Sequence, residues 1–457
     1  MATDHSACDG IPGALPSAAL SRREAIGAMW WPMAVGAAAL GSGCRSAPHR
    51  AAPAAANGLA NTEDDEAFWR HIRAEFLIDP AVLNLNNGGV SPTPRPVLDS
   101  FFNHFTFANT MPPPHALWQV QEKESEHVRT ALAHRWGVDP EEIALTRNAS
   151  EGLQICQNGL PLSRGDEVVF CTQDYPRMLN TFRQRAQRDG IVLVPVRIPV
   201  PCEDPQEIVA RYAQAITDRT RMILVSHMIN LTGQVMPVRE IGSLGRGRGD
   251  AGRDIPVVVD GAHGLAQFEF KISDLGCDYY AVSLHKWLFA PHGTGVLYVR
   301  RDKVKSLWPM QAAPDAEHDD IRKFEEIGTH PEAATLAIRE ALAFHERIGG
   351  ARKERRLGEL RRAWMSRLEA MPAAQGRLRF HTPRNPGLSH ALGTFQMLGV
   401  DSTAFAAWTW AKHRVLVTPI KHEEFEGVRV TPSVYTSHAD LERFCGLVEG
   451  VLKNGLT

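Results

Sequence analysis

Short apolar runs alternate with longer amphipathic stretches through the middle of the chain. The runs at 166–171, 191–196, 221–226, 255–259 and 279–282 are rich in Val, Ile and Leu and too short for helices. Stretches 177–188 and 205–216 between them read as helices. Strands apolar on both faces and separated by helices predict a mainly parallel sheet covered on both sides. Upstream, the pattern predicts a helix from 61 through 70–76 and a short strand at 82–85 entering Asn86-Asn87-Gly88-Gly89. A helix over 118–136 and a strand over 140–146 follow. After 299 the chain turns helical and charged, with a helix over 332–347. A smaller α+β unit comes next: helix 357–370, strands near 393–397, 414–417 and 427–430, and a last helix through 452. That last helix opens on the capping box Ser437-His438-Ala439-Asp440. The expected divisions are a leader and linker (1–56), an N-terminal segment packing with the small domain (62–99), a large domain (100–345) and a small C-terminal domain (346–457).

Open sheets of this kind bind ligands at the C-terminal ends of their strands, and those ends carry chemistry here. The run at 279–282 ends in Ser283-Leu284-His285-Lys286-Trp287, ahead of the glycine-led strand from Gly293 to Val299. A desolvated lysine near other cations keeps enough neutral amine to condense with an aldehyde. The run at 255–259 ends in Asp260-Gly261-Ala262-His263. A strand-end Lys and Asp suit pyridoxal phosphate (PLP), which needs a Lys imine and an acidic partner for its pyridinium nitrogen.

Other ends add to this. Strand 140–146 gives way to a helix through Arg147-Asn148-Ala149-Ser150-Glu151-Gly152, a small polar helix start suited to phosphate. Ser150 as a plain N-cap is the simpler alternative, and it leaves the rest of that cluster unexplained. Asp174-Tyr175-Pro176 places an aromatic ring where it could stack on a flat cofactor, and Asn230 could donate to a phenolate oxygen. Asn87, beside glycines, could line a pocket or serve an Asx turn. Arg429 lies on an apolar strand, where a guanidinium needs a carboxylate, either a structural partner or a substrate.

Composition narrows the field. With 457 residues, 44% hydrophobic, the chain is long enough for two domains. Lys plus Arg number 50 against 52 Asp plus Glu, so no electrostatic footprint for nucleic acid exists. Seven scattered cysteines form no CxxC pair and no cluster at metal spacing, so no metal is expected. No G-x-S-x-G elbow supports a serine hydrolase. At the N-terminus, Ser21-Arg22-Arg23-Glu24-Ala25-Ile26-Gly27 precedes an apolar run over 28–40, too short to span a bilayer as an ordinary helix. It resembles a twin-arginine export signal, with Ala25, Ile26 and Gly27 departing from the usual residues. The resemblance implies a periplasmic protein and a translocation-machinery partner. Cys44 in Leu40-Gly41-Ser42-Gly43-Cys44 loosely resembles a lipid-anchor box, and Ala54-Ala55-Ala56 offers an ordinary cleavage site instead.

Taken in order, Thr146 to Gly152, Asp174 to Pro176, Ser226 to Gly233, Asp260 to His263, Ser283 to Lys286, Gly328-Thr329 and Arg429 to Tyr435 resemble the class V aminotransferases. These are fold type I PLP enzymes, and the likeness is greatest to the branch containing isopenicillin N epimerase. The resemblance covers about 84–449. It implies that Lys286 holds PLP as a Schiff base and that Asp260 pairs with the pyridinium nitrogen. Ala149, Ser150, Ser283 and His285 would hold the phosphate, with Thr329 reaching it from the neighbouring subunit of a homodimer. Asn230 and His263 belong near the phenolic oxygen, and Asn87 and Arg429 face the substrate, Arg429 on its carboxylate. Tyr175 stands where many members place a stacking His, so stacking is kept but not that residue's proton transfer. Thr436 replaces the family's Asn. The implied activity is at the Cα of an amino acid or amino-acid-containing compound, by epimerase or aminotransferase-type chemistry, and export hints at tailoring of a secreted peptide or siderophore. A lyase of the same fold, or an exported PLP-binding protein without turnover, is the alternative. Desulfurases of the family carry a nucleophilic Cys on a later loop, which nothing between Cys277 and Cys445 matches.

Overall fold

A computed structural model of the chain describes residues 62–249, 252 and 254–456. The expected export signal, the Cys44 box and the linker lie outside the described residues. The first strand, β1 (Leu83–Asn84), stands apart from the central sheet. That sheet comprises β2 (Ile143–Thr146), β3 (Glu167–Cys171), β4 (Val192–Val196), β5 (Thr220–Ser226), β6 (Val257–Asp260), β7 (Tyr279–Ser283) and β8 (Gly295–Val299), in the order β2-β8-β7-β6-β5-β3-β4. β8 runs antiparallel to both neighbours, and the other pairings are parallel.

The near-continuous apolar runs arise because successive residues feed two cores. Val257, Val259, Tyr280 and Val282 enter one, while Val258, Tyr279 and Ala281 enter the other. Helix Ala149–Gly159 lies close on the second face, where a Cβ on Gly152 would stand 2.9 Å from the Ala281 Cβ. Because β8 is antiparallel it needs no crossover helix. The link 284–294, carrying Lys286, therefore stays at the sheet edge where β5, β6 and β7 end.

The remaining strands are β9 (Leu378–Phe380), β10 (Gly393–Met397), β11 (Val415–Leu416), β12 (Thr418–Lys421) and β13 (Glu426–Val430). β12-β13-β10-β9 form an antiparallel sheet. Helices Gly350–Glu369 and His438–Asn454 cover it, with Trp364 packed among Phe395 and Phe444. β1 pairs in parallel with β11, Leu83 opposite Val415. The capping box of Ser437 and Asp440 is formed.

Some elements differ from expectation. The strand expected at 414–417 shortens to β11, because Arg414 is taken up as the left-handed (φ 53) cap of helix Ser402–His413. The helix expected over 332–347 is two, Ala333–Leu336 and Ile338–Ile348. The one expected over 118–136 starts as a π-helical turn, His115–Gln121, before helix Glu122–Trp136. Among the described residues no helix is long and apolar enough to cross a membrane. Glu66, Glu359 and His438 converge from three helices, but the Arg356 guanidinium lies among them, 2.6 Å from Glu66, making an ion-pair cluster.

Candidate active site

Lys286 is the third residue past β7 and is half-buried. Its Nζ stands 3.1 Å from His263 Nε2. Burial lowers the amine from 10.5 to about 8, with Asp260 opposing and Arg429 adding to the drop. Asp260 ends β6, where one carboxylate oxygen accepts the Ala262 N–H at 3.0 Å. Burial raises its carboxyl against the pull of that N–H and of Lys286. In both groups desolvation outweighs their mutual attraction, so the pair is poised for an added partner.

His263 follows at the same strand end, 4% exposed, with Nδ1 lacking any partner. Burial, then the charges of Lys286 and Arg429, holds it well below 6.5, so the ring is neutral. The tight backbone here depends on glycine, since a Cβ at Gly261 would come within 2.1 Å of the Tyr280 ring.

Ser283 closes β7, and its Oγ accepts the Ala149 N–H at 2.9 Å, fastening the helix start to the Lys286 segment. Asn148 is the N-cap, accepting from the Glu151 N–H at 2.9 Å. Ser150 is thus not the cap. It lies inside the first turn, half-buried, with its hydroxyl unpartnered among the described residues. His285 Nδ1 faces the Thr294 carbonyl at 3.2 Å, and burial lowers the ring to about 4. A carbonyl forces Nδ1 to donate, so Nε2 can donate to an anion only once protonated. A bound phosphate dianion would favour that. A cavity of about 950 Å³ opens beside this mouth, walled by Arg147, Asn148, His292, Glu325 and His330. Thr329 sits exposed on the adjoining loop and makes no side-chain hydrogen bond to the cluster of its own chain.

Tyr175 occupies the N-cap position of helix Pro176–Asp189, half-buried. Arg429 on β13 is 6% exposed, and its partners are the Asn230 carbonyl (2.9 Å), Asn86 Oδ1 (2.8 Å) and Thr418 Oγ1 (3.4 Å). Nε has no partner, and no carboxylate meets the guanidinium among the described residues. Burial lowers it to about 10, with the Tyr175 phenol opposing. Asn230 therefore meets Arg429 through its backbone, leaving its amide to other duties.

Asn87 is fully buried and its amide is committed. Nδ2 donates to the Asn84 and Thr431 carbonyls, and Oδ1 accepts from Tyr435 and Asn84. Its neighbour Asn86, and not the Asn87 expected to face the substrate, is the one that reaches Arg429. Asp174 is a further residue that sequence reasoning passed over. It is 2% exposed, accepts from Ser226 Oγ (2.6 Å) and the Cys171 N–H (2.8 Å), and burial raises it to about 7. Ser226 is the register partner of Asp260, so a second buried acid lies behind the first. Position one residue before Tyr175 at a strand end was the available signal.

The cluster offers a low-pKa lysine, a strand-end acid, an unsatisfied imidazole nitrogen and a helix mouth with free donors. That donor set fits PLP, and with the sheet order it defines a PLP-dependent enzyme of fold type I. The profile of the family Aminotransferase class-V matches residues 83–407, and the chain belongs to that family. It is similar to isopenicillin N epimerase of Amycolatopsis lactamdurans, 30% identical over 84% of this chain and 99% of that protein. The Streptomyces clavuligerus enzyme of the same name is 28% identical over 84% and 98%. A putative L-cysteine desulfhydrase 2 of Oryza sativa is 28% identical over 67% and 66%. Among solved structures, the cystine C-S lyase C-DES with its product cysteine persulfide superposes with a TM-score of 0.72 at 23% identity, over 82% of this chain and 98% of that one.

Proposed function

We propose that the protein is an exported PLP enzyme that removes the Cα proton of an amino acid or amino-acid-containing compound, by epimerase or aminotransferase-type chemistry. The observation that carries this is Arg429, a buried guanidinium whose partners are neutral oxygens. Such a charge calls for an anion, and the substrate's carboxylate supplies it. Bound PLP supplies an electron sink that acidifies Cα. Lys286 takes and returns the proton. At about pH 7 an amine of pKa about 8 is roughly one-tenth unprotonated, enough for a base. His263 holds the amine at 3.1 Å, and Asp260 offers its carboxylate to the pyridinium. Ser150 and Ser283, fastened to each other's segments through the Ala149 N–H, would hold the phosphate, and Tyr175 would stack on the ring.

The epimerase relatives, matched over nearly their whole length, favour Cα chemistry. The five described cysteines are all buried, and burial raises each thiol above its ordinary value, which disfavours a persulfide-forming thiolate. The exposed Thr329 suits a homodimer in which each loop serves the other subunit.

Proton NMR in D₂O with a panel of α-amino acids and short peptides tests the reading. Loss of the Cα–H signal is expected with wild type and not with Lys286→Ala. A yellow protein that exchanges no Cα proton in any of them would leave only the non-catalytic binding role. Export rests on Arg22 and Arg23 ahead of the apolar run, and Arg22→Lys with Arg23→Lys should hold the protein in the cytoplasmic fraction.

A further inference from the structure

The link that carries Lys286 is held carbonyl by carbonyl, from within itself and from distant parts of the chain. The Leu284 carbonyl accepts from the Ala290 N–H at 3.2 Å, and the His285 carbonyl from the Ser91 N–H at 3.1 Å. Thr93 Oγ1 reaches the Ala290 carbonyl at 3.3 Å. The carbonyl of Trp287, the residue after Lys286, is held by the Nζ of Lys353, on helix Gly350–Glu369. Trp287, Leu288, Phe289 and Ala290 are all at 0% exposure, so no water can substitute for that amine. Phe289 is left-handed (φ 62), a conformation a bulky side chain adopts only where its surroundings enforce it. Lys353 Nζ lies 4.0 Å from the Phe289 ring centroid.

Lys353 is an expensive way to satisfy one carbonyl. It is fully buried, and no carboxylate bonds it among the described residues. The nearby acid, Glu269, is engaged by Arg135 at 2.7 Å, and burial, then the Arg135 charge, pushes the Lys353 amine well below 10.5. An apolar side chain would pack there more cheaply, unless the geometry of the link matters.

We propose that Lys353 is a positioning residue for Lys286: by clamping the Trp287 carbonyl it sets the direction in which the Lys286 side chain leaves the backbone, and so where its amine meets cofactor and substrate. This rests on the reading of Lys286 as the Schiff-base lysine and acid–base group, and goes beyond it.

The test uses the PLP-loaded enzyme. Lys353→Met keeps the length and apolar stem and removes the donor, while Lys353→Gln keeps a donor with less reach. The readouts are the lysine fixed by borohydride, the pH midpoint of the visible band, and kcat and KM for Cα exchange per bound cofactor. In the Met variant PLP is still fixed at Lys286, but the midpoint shifts and kcat falls about 100-fold with KM little changed, as for a displacement of about 1 Å. The Gln variant falls between it and wild type. A Met variant with wild-type midpoint and kcat, even one that melts at lower temperature, overturns the proposal and leaves Lys353 a structural residue. So does a Gln variant as impaired as Met. Should the Met protein not fold, Gln alone decides, and a wild-type midpoint and kcat in it sinks the idea. Wild-type protein fixed at a different lysine, or at none, defeats the reading of Lys286 itself and this inference with it.

Discussion

Lys286 should destabilise the cofactor-free protein at neutral pH, and removing it should show by how much. The perturbation is Lys286→Met, close in shape and without charge. The amine titrates at 10.5 when unfolded and at about 8 in the folded apoprotein. Below pH 8 both states are protonated, and the folded state bears the full cost of a buried ammonium. Between about 8 and 10.5 the unfolded chain binds more protons than the folded one, so wild-type stability rises with pH across that window. At about 1.4 kcal/mol per pKa unit, the drop from 10.5 to about 8 corresponds to roughly 3 kcal/mol. Urea denaturation of both apoproteins, extrapolated linearly, should show the Met variant more stable by that amount near pH 7. The gap should shrink by roughly 2 kcal/mol on going to about pH 9.5. A gap that stays constant with pH would refute the depressed amine and, with it, the argument that Lys286 is partly neutral at working pH.

Three further expectations follow from the same geometry. Arg429→Gln should lower kcat/KM for carboxylate substrates by roughly 2–5 kcal/mol, about 30- to 5,000-fold, yet hardly affect an amine lacking the carboxylate. Equal losses on both would remove Arg429 from the substrate site. Gly261→Ala drives a Cβ to 2.1 Å from the fully buried Tyr280 ring, so it should cost about 1–3 kcal/mol and displace Asp260, read as weaker PLP retention in a dialysis assay. Arg129 is 1% exposed and pairs with Glu325 at 2.5 Å. Arg129→Met leaves that carboxylate its Leu145 N–H (2.6 Å) but no cation, and should lose about 3–5 kcal/mol in urea denaturation, partly restored by adding Glu325→Gln.

The strands that build the site were legible because each is apolar on both faces and stops at a chemical residue: Ser226, Asp260 and Ser283 end β5, β6 and β7. What the pattern could not convey is which buried polar groups pair off. The helix expected from 357 begins at Gly350, and in its added turns Lys353 and Arg356 are buried because carbonyls and acids from distant segments meet them. Asn86 and Asn87 are indistinguishable in sequence. Only the pairing of β1 with β11, and the bridge from Asn86 to Thr431, decides which amide turns toward Arg429. The left-handed cap at Arg414, which holds β11 back to Val415, was likewise invisible, since a residue other than Gly takes left-handed φ only under tertiary constraint.

The two-residue strand β1 finds its neighbour, β11, 332 positions later in the chain. At a ribosomal pace of about 5–20 residues per second, Leu83 and Asn84 wait roughly 17–66 seconds for Val415 and Leu416 to be made. Asn86 and Arg429 come together only after that. On the proposed reading of Arg429, a grip on the substrate's carboxylate is therefore a finishing step that a nascent or C-terminally truncated chain cannot complete, however well its central sheet has formed.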